Sequence, residues 1–145
     1  MNKELQFTVP GQPFGKERPR AAKRGKFMTL YTPQKTVNYE GLIAHTAMIA
    51  MVGRKLILGA VSVELDIRVS IPASWSKKRQ AAAMRGEVAP TKKPDIDNVE
   101  KVLFDGMNGV VWKDDVQAVE VRKCKRYAET PGVFVIVREL DMVAA

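Results

Sequence analysis

Five aspartates lie within one short stretch of a sequence whose formal net charge is +8. The stretch reads KKPDIDNVEKVLFDGMNGVVWKDD and contains Asp95, Asp97, Asp105, Asp114 and Asp115. Carboxylate oxygens gathered without cysteine or histidine suit a hard divalent cation such as Mg²⁺ or Mn²⁺. Such a cation can lower the pKa of a water nucleophile and hold the leaving oxygen of a phosphodiester. The stretch therefore indicates metal-assisted chemistry on a phosphate ester.

The residues that follow Asp95 have the pattern of a helix with one polar face. At about 100° per residue, the polar face collects Asp97, Asn98, Lys101 and Asp105, and the opposite face collects Ile96, Val99, Val102 and Leu103. The apolar face is expected to pack on a sheet. The ammonium of Lys101 would then lie beside carboxylates, where it can balance their charge or contact the scissile phosphate.

The acids form two clusters, one at the start of this helix and one after a short apolar strand. Because that strand could return beside the helix, we expect the two clusters to converge at one end of the structure. The expected metal ligands are Asp95, Asp97, Asp115 and its neighbour Asp114. Asn98 and Asp105 are expected to support these ligands from the same helix face.

A structural role for the first cluster competes with this interpretation. An aspartate at a helix start accepts hydrogen bonds from unpaired amides and complements the helix dipole. Asp97 and Lys101 also have the spacing of an ordinary i,i+4 ion pair. An EF-hand Ca²⁺ loop fits badly, because its D-x-D-x-D-G spacing is missing.

Composition bounds the class of protein. A length of 145 residues suits one domain, expected to span residues 1–145, and 46% hydrophobic residues can form a core. Lys and Arg total 24 against 16 Asp and Glu, which favours a polyanionic partner, usually nucleic acid. The single cysteine, Cys124, fits a reducing, cytoplasmic compartment. No apolar run is long enough to span a bilayer, and no signal-like segment opens the chain.

Hydrophobic periodicity predicts an α+β domain with a mixed or antiparallel sheet and helices mainly on one face. Strands are predicted at 5–9, 27–32, 61–72, 108–112, 116–127 and 133–140, the last two as a hairpin, with a loop at 11–26. Helices are predicted at 33–52, with Thr32 as its N-cap, at 76–85, and from Asp97 to Gly106. The first helix is apolar around most of its circumference, so we expect it to be buried on more than one side, partly against a second subunit.

Basic residues surround the acidic stretch. The predicted DNA contacts are Lys16, Arg18, Arg20, Lys23, Arg24 and Lys26 in the first loop, and Lys92 and Lys93 beside the acids. Neutralisation of phosphates dominates the affinity of such surfaces. Phe14 and Phe27 could act as wedges between bases, although hydrophobic packing is the simpler interpretation.

The segment KPDIDNVEKVLFDGMNGVVWKDDVQ closely resembles the signature of the RusA-like Holliday junction resolvases. It carries Lys-Pro-Asp-x-Asp-Asn, a lysine four residues after the second aspartate, Asn-Gly, a tryptophan and Asp-Asp-x-Gln. The segments VPGQPFGKERPR and YTPQKTVNYE also resemble the longer phage and prophage-type members. By this resemblance, Asp95, Asp97 and Asp115 match the essential acids of the family, and Lys101 matches its catalytic-site lysine.

The resemblance implies a homodimeric, Mg²⁺-dependent endonuclease, with Mn²⁺ as an alternative ion, that resolves four-way DNA junctions by paired symmetric nicks in recombination and repair. Two-fold symmetry of a dimer fits the symmetry of a junction. It also implies a bacterial protein of phage or prophage type. Three other functions stay open: a catalytically silent DNA-binding module, a general branched-DNA nuclease of a phage, and a protein-interaction factor.

Overall fold

The computed structural model describes residues 3–143 and 145, apart from the side chain of Arg24. Its strands are β1 (Glu4–Pro10), β2 (Arg20–Arg24), β3 (Phe27–Tyr31), β4 (Val61–Ser70), β5 (Ala118–Ala128) and β6 (Gly132–Glu139). Its helices are α1 (Gln34–Ala50), α2 (Lys77–Met84) and α3 (Ile96–Met107), with a 3₁₀ helix at Asp115–Gln117. The predicted α+β class is confirmed.

Four strands form a mixed sheet in the order β1-β6-β4-β5. β4 pairs antiparallel with β6 and parallel with β5, and β1 pairs antiparallel with β6. β2 and β3 form a separate antiparallel ribbon of two strands. In the part of the chain that the structure describes, no helix is long and apolar enough to cross a membrane.

The central strand β4 was predicted from strict alternation, and the structure shows why that pattern is so clear. Every second side chain from Val61 to Val69 is buried, and the intervening residues from Ser62 to Arg68 are only partly exposed. One face of the strand therefore enters the core while the other carries polar groups. The strand ends at Ser70 instead of the predicted Pro72.

The predicted hairpin between the last two strands is wrong. β5 and β6 follow one another in the chain, but β4 lies between them and pairs with both. β5 carries charged residues at five of its 11 positions and forms an edge of the sheet, whereas β4 is the more apolar strand. β4 therefore lies inside the sheet, because there it buries more apolar surface than β5 would.

Three local predictions also need correction. The predicted loop at 11–26 contains β2, which has no alternation because both faces of the ribbon are largely exposed. The predicted strand at 108–112 is a turn with two isolated bridges. α1 begins at Gln34 with Pro33 in the N-cap position and no side-chain cap, so Thr32 is not its cap.

Helices α1 and α3 pack together through a glycine. α3 does not end at Gly106 as predicted but continues to Met107. A Cβ atom at Gly106 would lie 2.7 Å from Cγ2 of Ile43 and 3.1 Å from the carbonyl oxygen of Glu40. Ile43 is fully buried in the single core cluster of the described residues, so it has little room to move. The missing side chain at Gly106 allows the two helices to approach closely.

We predict that Gly106→Ala lowers the free energy of unfolding by about 1–3 kcal/mol, because overpacking forces Ile43 or the backbone of α1 to shift. Gly41→Ala is the matched control, since a Cβ at Gly41 on α1 meets nothing within 4 Å and alanine favours a helix over glycine. Urea denaturation measures both changes. Equal stability of the two variants would contradict the close packing.

A second prediction concerns Tyr39, whose burial raises the pKa of its hydroxyl to about 12. The ordinary tyrosine pKa is near 10, so between about pH 10 and pH 12 the unfolded chain loses this proton while the folded chain keeps it. Stability should therefore fall with rising pH in that window, by at most about 1.4 kcal/mol per pH unit. Tyr39→Phe should flatten this decline in alkaline denaturation curves, and Tyr31→Phe, in the exposed ribbon, should leave it unchanged.

Candidate metal site and nucleic-acid surface

The start of α3 presents two carboxylates that the fold does not use for capping. Asp95 occupies the N-cap position with extended backbone angles, but its side chain makes no capping hydrogen bond. Asp97 lies in the first turn, and 88% of its side chain is exposed. The competing interpretation, in which the acids of this cluster serve only as helix caps, therefore fails for Asp95. Both carboxylates face solvent, where a cation can reach them.

A lysine from β5 lies against this cluster. The Nζ atom of Lys123 donates to Oδ1 of Asp97 at 2.7 Å and lies 3.3 Å from Oε1 of Glu100. The hydrogen bond to Asp97 raises the pKa of Lys123. Asp97 therefore takes part in an ion pair between α3 and β5.

The register of the sheet explains how Lys123 reaches α3. Lys123 lies opposite Leu65 of β4, and Lys125 lies opposite Ile67, so both lysines share the face that the helices cover. Lys125 donates to the carbonyl oxygens of Lys92 and Pro94 at 2.8 and 2.9 Å. These bonds hold the segment that leads into Asp95. Sequence reasoning missed both roles, because alternation on a charged edge strand does not say which face is covered.

The predicted polar face of α3 is confirmed, but its members have separate partners. Asp97, Asn98 and Lys101 are exposed, while Val99, Val102 and Leu103 on the other side are buried. Asp105 is only partly exposed, and it pairs with Lys16 from the loop after β1. The hydrogen bond to Asp105 raises the pKa of Lys16, and Glu40 lies 3.6 Å from the same ammonium.

The second acidic cluster is held at the other end of the helix. Indole Nε1 of Trp112, which is fully buried, donates to Oδ1 of Asn108 at 2.7 Å. Asn108 Nδ2 then donates to Oδ2 of Asp115 at 3.3 Å. Asp114 is the N-cap of the 3₁₀ helix at Asp115–Gln117. Its carboxylate accepts a hydrogen bond from the amide of Asp115 and forms a capping box with Gln117. Asp115 is therefore the positioned acid of the pair.

Gln117 connects the second acidic cluster to the segment before β4 through hydrogen bonds. Its Oε1 accepts from the amides of Lys113 and Asp114 at 2.9 and 3.0 Å. Its Nε2 donates to the carbonyl oxygens of Ile57 and Gly59 at 2.9 and 3.0 Å. One amide side chain thus joins the acidic turn to the segment before β4.

The predicted convergence of the two clusters is not seen within one chain. α3 has 12 residues, so at 1.5 Å per residue it is about 18 Å long. Asp95 lies at its N-cap, whereas Asp115 contacts its C-cap residue, Asn108. Among residues 3–143 and 145, no three Asp, Glu, His or Cys side chains gather closely enough to hold a metal.

Part of the predicted basic surface lines a cleft beside Asp95. The cleft has a volume of about 610 Å³ and lies between loop residues 13–20 and residues 93–98. Arg18, Arg20 and Lys93 are exposed and line the cleft. The predicted residues Lys23, Lys26 and Lys92 are exposed but lie outside its lining. Lys16 differs, because it is tied to Asp105 and Glu40, and the side chain of Arg24 lies outside the described part of the structure.

Comparison with known proteins agrees with the motif and the site. The sequence profile of the family described as Endodeoxyribonuclease RusA matches residues 10–138. The chain belongs to the RusA endodeoxyribonuclease family. A RusA-family protein is a DNA-cutting enzyme that acts on branched DNA, and such nucleases generally depend on a divalent metal. The match includes both acidic clusters, the first basic loop, strands β2 to β5 and β6 without its last residue, but only the final residue of β1.

A curated relative covers almost the same length. The chain is 34% identical over 141 residues to the protein named "Uncharacterized protein YqaN" of Bacillus subtilis (strain 168), which covers 94% of this chain and 97% of the relative. That printed name adds no activity to the one that the RusA family implies.

We predict that Gln117→Ala lowers the free energy of unfolding by about 1–3 kcal/mol, because it leaves buried or partly buried backbone groups without partners. The same change should release Asp115 and reduce cleavage of DNA. Gln34→Ala is the matched control, since Gln34 makes one exposed hydrogen bond with Asn38. Thermal melts and nuclease assays on both variants make the comparison, and an unaffected Gln117→Ala protein would contradict the role of this side chain.

Proposed function

We propose that the protein resolves four-way DNA junctions by paired symmetric nicks, with Mg²⁺ as its metal, in DNA recombination and repair. The observation that carries this proposal is the uncapped Asp95 beside the exposed Asp97, at the edge of a basic cleft. Asp95 makes no capping bond, and Asp97 pairs with Lys123, whose ammonium occupies a position that a cation could take. On a strongly basic protein, such carboxylates suit a metal that faces the phosphates of DNA.

The exposed residues of α3 have different roles in the proposed reaction. Asp95 and Asp97 offer oxygen ligands to a hard cation, and Lys123 now holds the oxygen of Asp97 that such a cation would take. When bound, a divalent cation would supply an activated water and neutralise charge on the phosphate. Lys101, one turn after Asp97 on the exposed side of α3, can donate to a non-bridging phosphate oxygen. The cleft beside Asp95 would guide the strand towards these groups.

A second copy of the chain can bring the distant acid into the site. The two segments that Gln117 joins carry exposed apolar side chains, namely Leu56, Leu58, Val116 and Val119. The bonds of Gln117 to Ile57 and Gly59 place Leu58 and Val116 in the same region. Such a cluster favours a protein interface. We propose that a homodimer forms here and that Asp115 of one subunit completes the metal site of the other.

Exposure on α1 supports a dimer as well. Met48 and Ile49 at its C-terminal end, and Val52 just after it, are all more than half exposed, although the sequence predicted that this helix would be covered on several sides. The chain continues from there into Leu56 and Leu58. A partner that covers the region around Asp115 could therefore extend over the end of α1.

The first test uses a mobile four-way junction, a matched linear duplex and a Y-fork, each with Mg²⁺ or with EDTA. The wild-type protein should make paired nicks in the junction only, and EDTA should abolish them. Asp97→Asn should reduce cleavage by at least about 100-fold while binding persists, because one metal ligand is lost from an exposed position. Asp141→Asn, an exposed aspartate near the C-terminus, is the control and should cut normally.

Other outcomes separate the alternatives. Tight junction binding without cleavage in any divalent metal would favour a catalytically silent DNA-binding module. Equal cutting of the junction and the Y-fork would favour a general branched-DNA nuclease.

Subunit mixing tests where Asp115 acts. Asp97→Asn and Asp115→Asn should each be inactive alone. If the site is shared between subunits, a mixed dimer has one site with both changes and one intact site. About half of the dimers are mixed at equal concentrations, so about a quarter of wild-type nicking should return. If each site lies within one chain, every site in the mixture stays damaged and no activity returns. Co-purification of two differently tagged variants must show exchange of subunits before the assay.

A further inference from the structure

The ribbon formed by β2 and β3 exposes apolar side chains on both of its faces. Phe27 is 75% exposed and Leu30 is 77% exposed, and Met28 and Tyr31 are exposed as well. Because side chains alternate along a strand, Phe27 and Tyr31 point to one face of the ribbon, while Met28 and Leu30 point to the other. Packing on a flat surface would cover only one of these faces. A site that encloses the ribbon from both sides would cover both.

Positive charge accompanies the apolar side chains. The register places Met28 opposite Lys23 and Tyr31 opposite Arg20. Lys26 lies beside Phe27 in the turn, and all three of these basic side chains are exposed. Lysine is depleted in the centre of protein interfaces, so a ribbon of this composition is poorly suited to an apolar protein groove. Nucleic acid offers both phosphates for the charges and base faces for the apolar groups.

The base of the ribbon is fixed beside the acidic residues of α3. The amide of Lys16 donates to the carbonyl oxygen of Asn98 at 3.0 Å, and the amide of Glu17 donates to Oγ1 of Thr36 at 3.3 Å. Gly15 also lies close to α3, since a Cβ atom there would be 3.1 Å from Cβ of Asn98. The ribbon therefore projects from the region where Asp95 and Asp97 lie.

The dimensions of the ribbon suit insertion into DNA. Each strand has five residues, so the ribbon extends about 17 Å at about 3.3 Å per residue. A two-stranded ribbon fits a groove of DNA about 12 Å wide. The ribbon is long enough to reach unpaired or partly unstacked bases next to a phosphate held at Asp95 and Asp97.

We propose that the β2–β3 ribbon inserts into the branch point of the bound DNA junction, where Phe27 stacks on exposed bases and Leu30 covers the opposite side. This inference rests on the proposed function, because it takes branched DNA as the partner. The basic side chains hold the flanking phosphates. The ribbon keeps the branch point open while the acids of α3 face the strand to be cut.

The test measures base unstacking separately from cleavage. A junction carrying 2-aminopurine at the branch point is bound by the Asp97→Asn protein, and fluorescence should rise because the probe base loses its stacking neighbours. Adding Phe27→Ala and Leu30→Ala should remove most of that rise and weaken junction binding by about tenfold or more. Phe27→Trp should retain the rise, because tryptophan also stacks on bases.

Matched controls keep the result interpretable. Met84→Ala removes an exposed apolar side chain from α2, and it should change neither fluorescence nor binding. The ribbon variants should keep the wild-type melting temperature, because the side chains removed are exposed.

Three outcomes would overturn the proposal. Normal fluorescence and binding by the ribbon variants, with cleavage by the wild-type protein intact, would reject the inference but leave the proposed function standing. Loss of dimer in sedimentation analysis of the variants would assign the ribbon to a second copy of the chain. Binding to anionic lipid vesicles in place of junctions, abolished by the same variants, would assign it to a membrane surface and would also reject the proposed function.

Discussion

The packing of α3 between α1 and the inner face of the sheet determines where the chemistry of this protein can occur. Burial of Val99, Val102 and Leu103 leaves one orientation for the helix, and that orientation turns Asp97 and Lys101 outward. Gly106 lets α1 approach closely enough to complete the core. The stabilising free energy is roughly proportional to the apolar area that is buried. Packing of the apolar face therefore sets the orientation of the helix, and the polar face is left towards solvent.

Charge balance is the second constraint, and the fold meets it with lysines from distant segments. Lys123 from β5 pairs with Asp97, and Lys16 from the first loop pairs with Asp105. These pairs are at least partly exposed, so each contributes little to stability. Their effect is local: they hold an acidic helix face together within a basic protein. The same arrangement leaves Asp95 without a pairing cation among the described side chains, at the mouth of the cleft.

The length of α3 separates the two acidic clusters, and this has a consequence for assembly. A helix of about 18 Å cannot bring both of its ends to one small ion, so in the proposed metal site Asp115 would come from a second subunit. The exposed side chains of Leu58 and Val116 belong to the surface on which we propose that this subunit packs. On this view, dimer formation and metal binding are one linked equilibrium. A two-fold assembly would also present two equivalent sites to the two strands of a symmetric junction.

The sequence by itself determined the α+β class, the central strand, the position of α3 and the polar face that Asp97, Lys101 and Asp105 share. These features follow from periodicity, which a chain carries locally. The family motif pointed to branched DNA for the same reason, since its residues are close in the chain. Only the tertiary structure decided that β4 separates β5 from β6, that Lys123 reaches Asp97, and that Asp115 lies at the far end of α3. Each of these features depends on which segments pair although they are far apart in the sequence. That pairing follows from burial of the whole core, and no local pattern in the sequence predicts it.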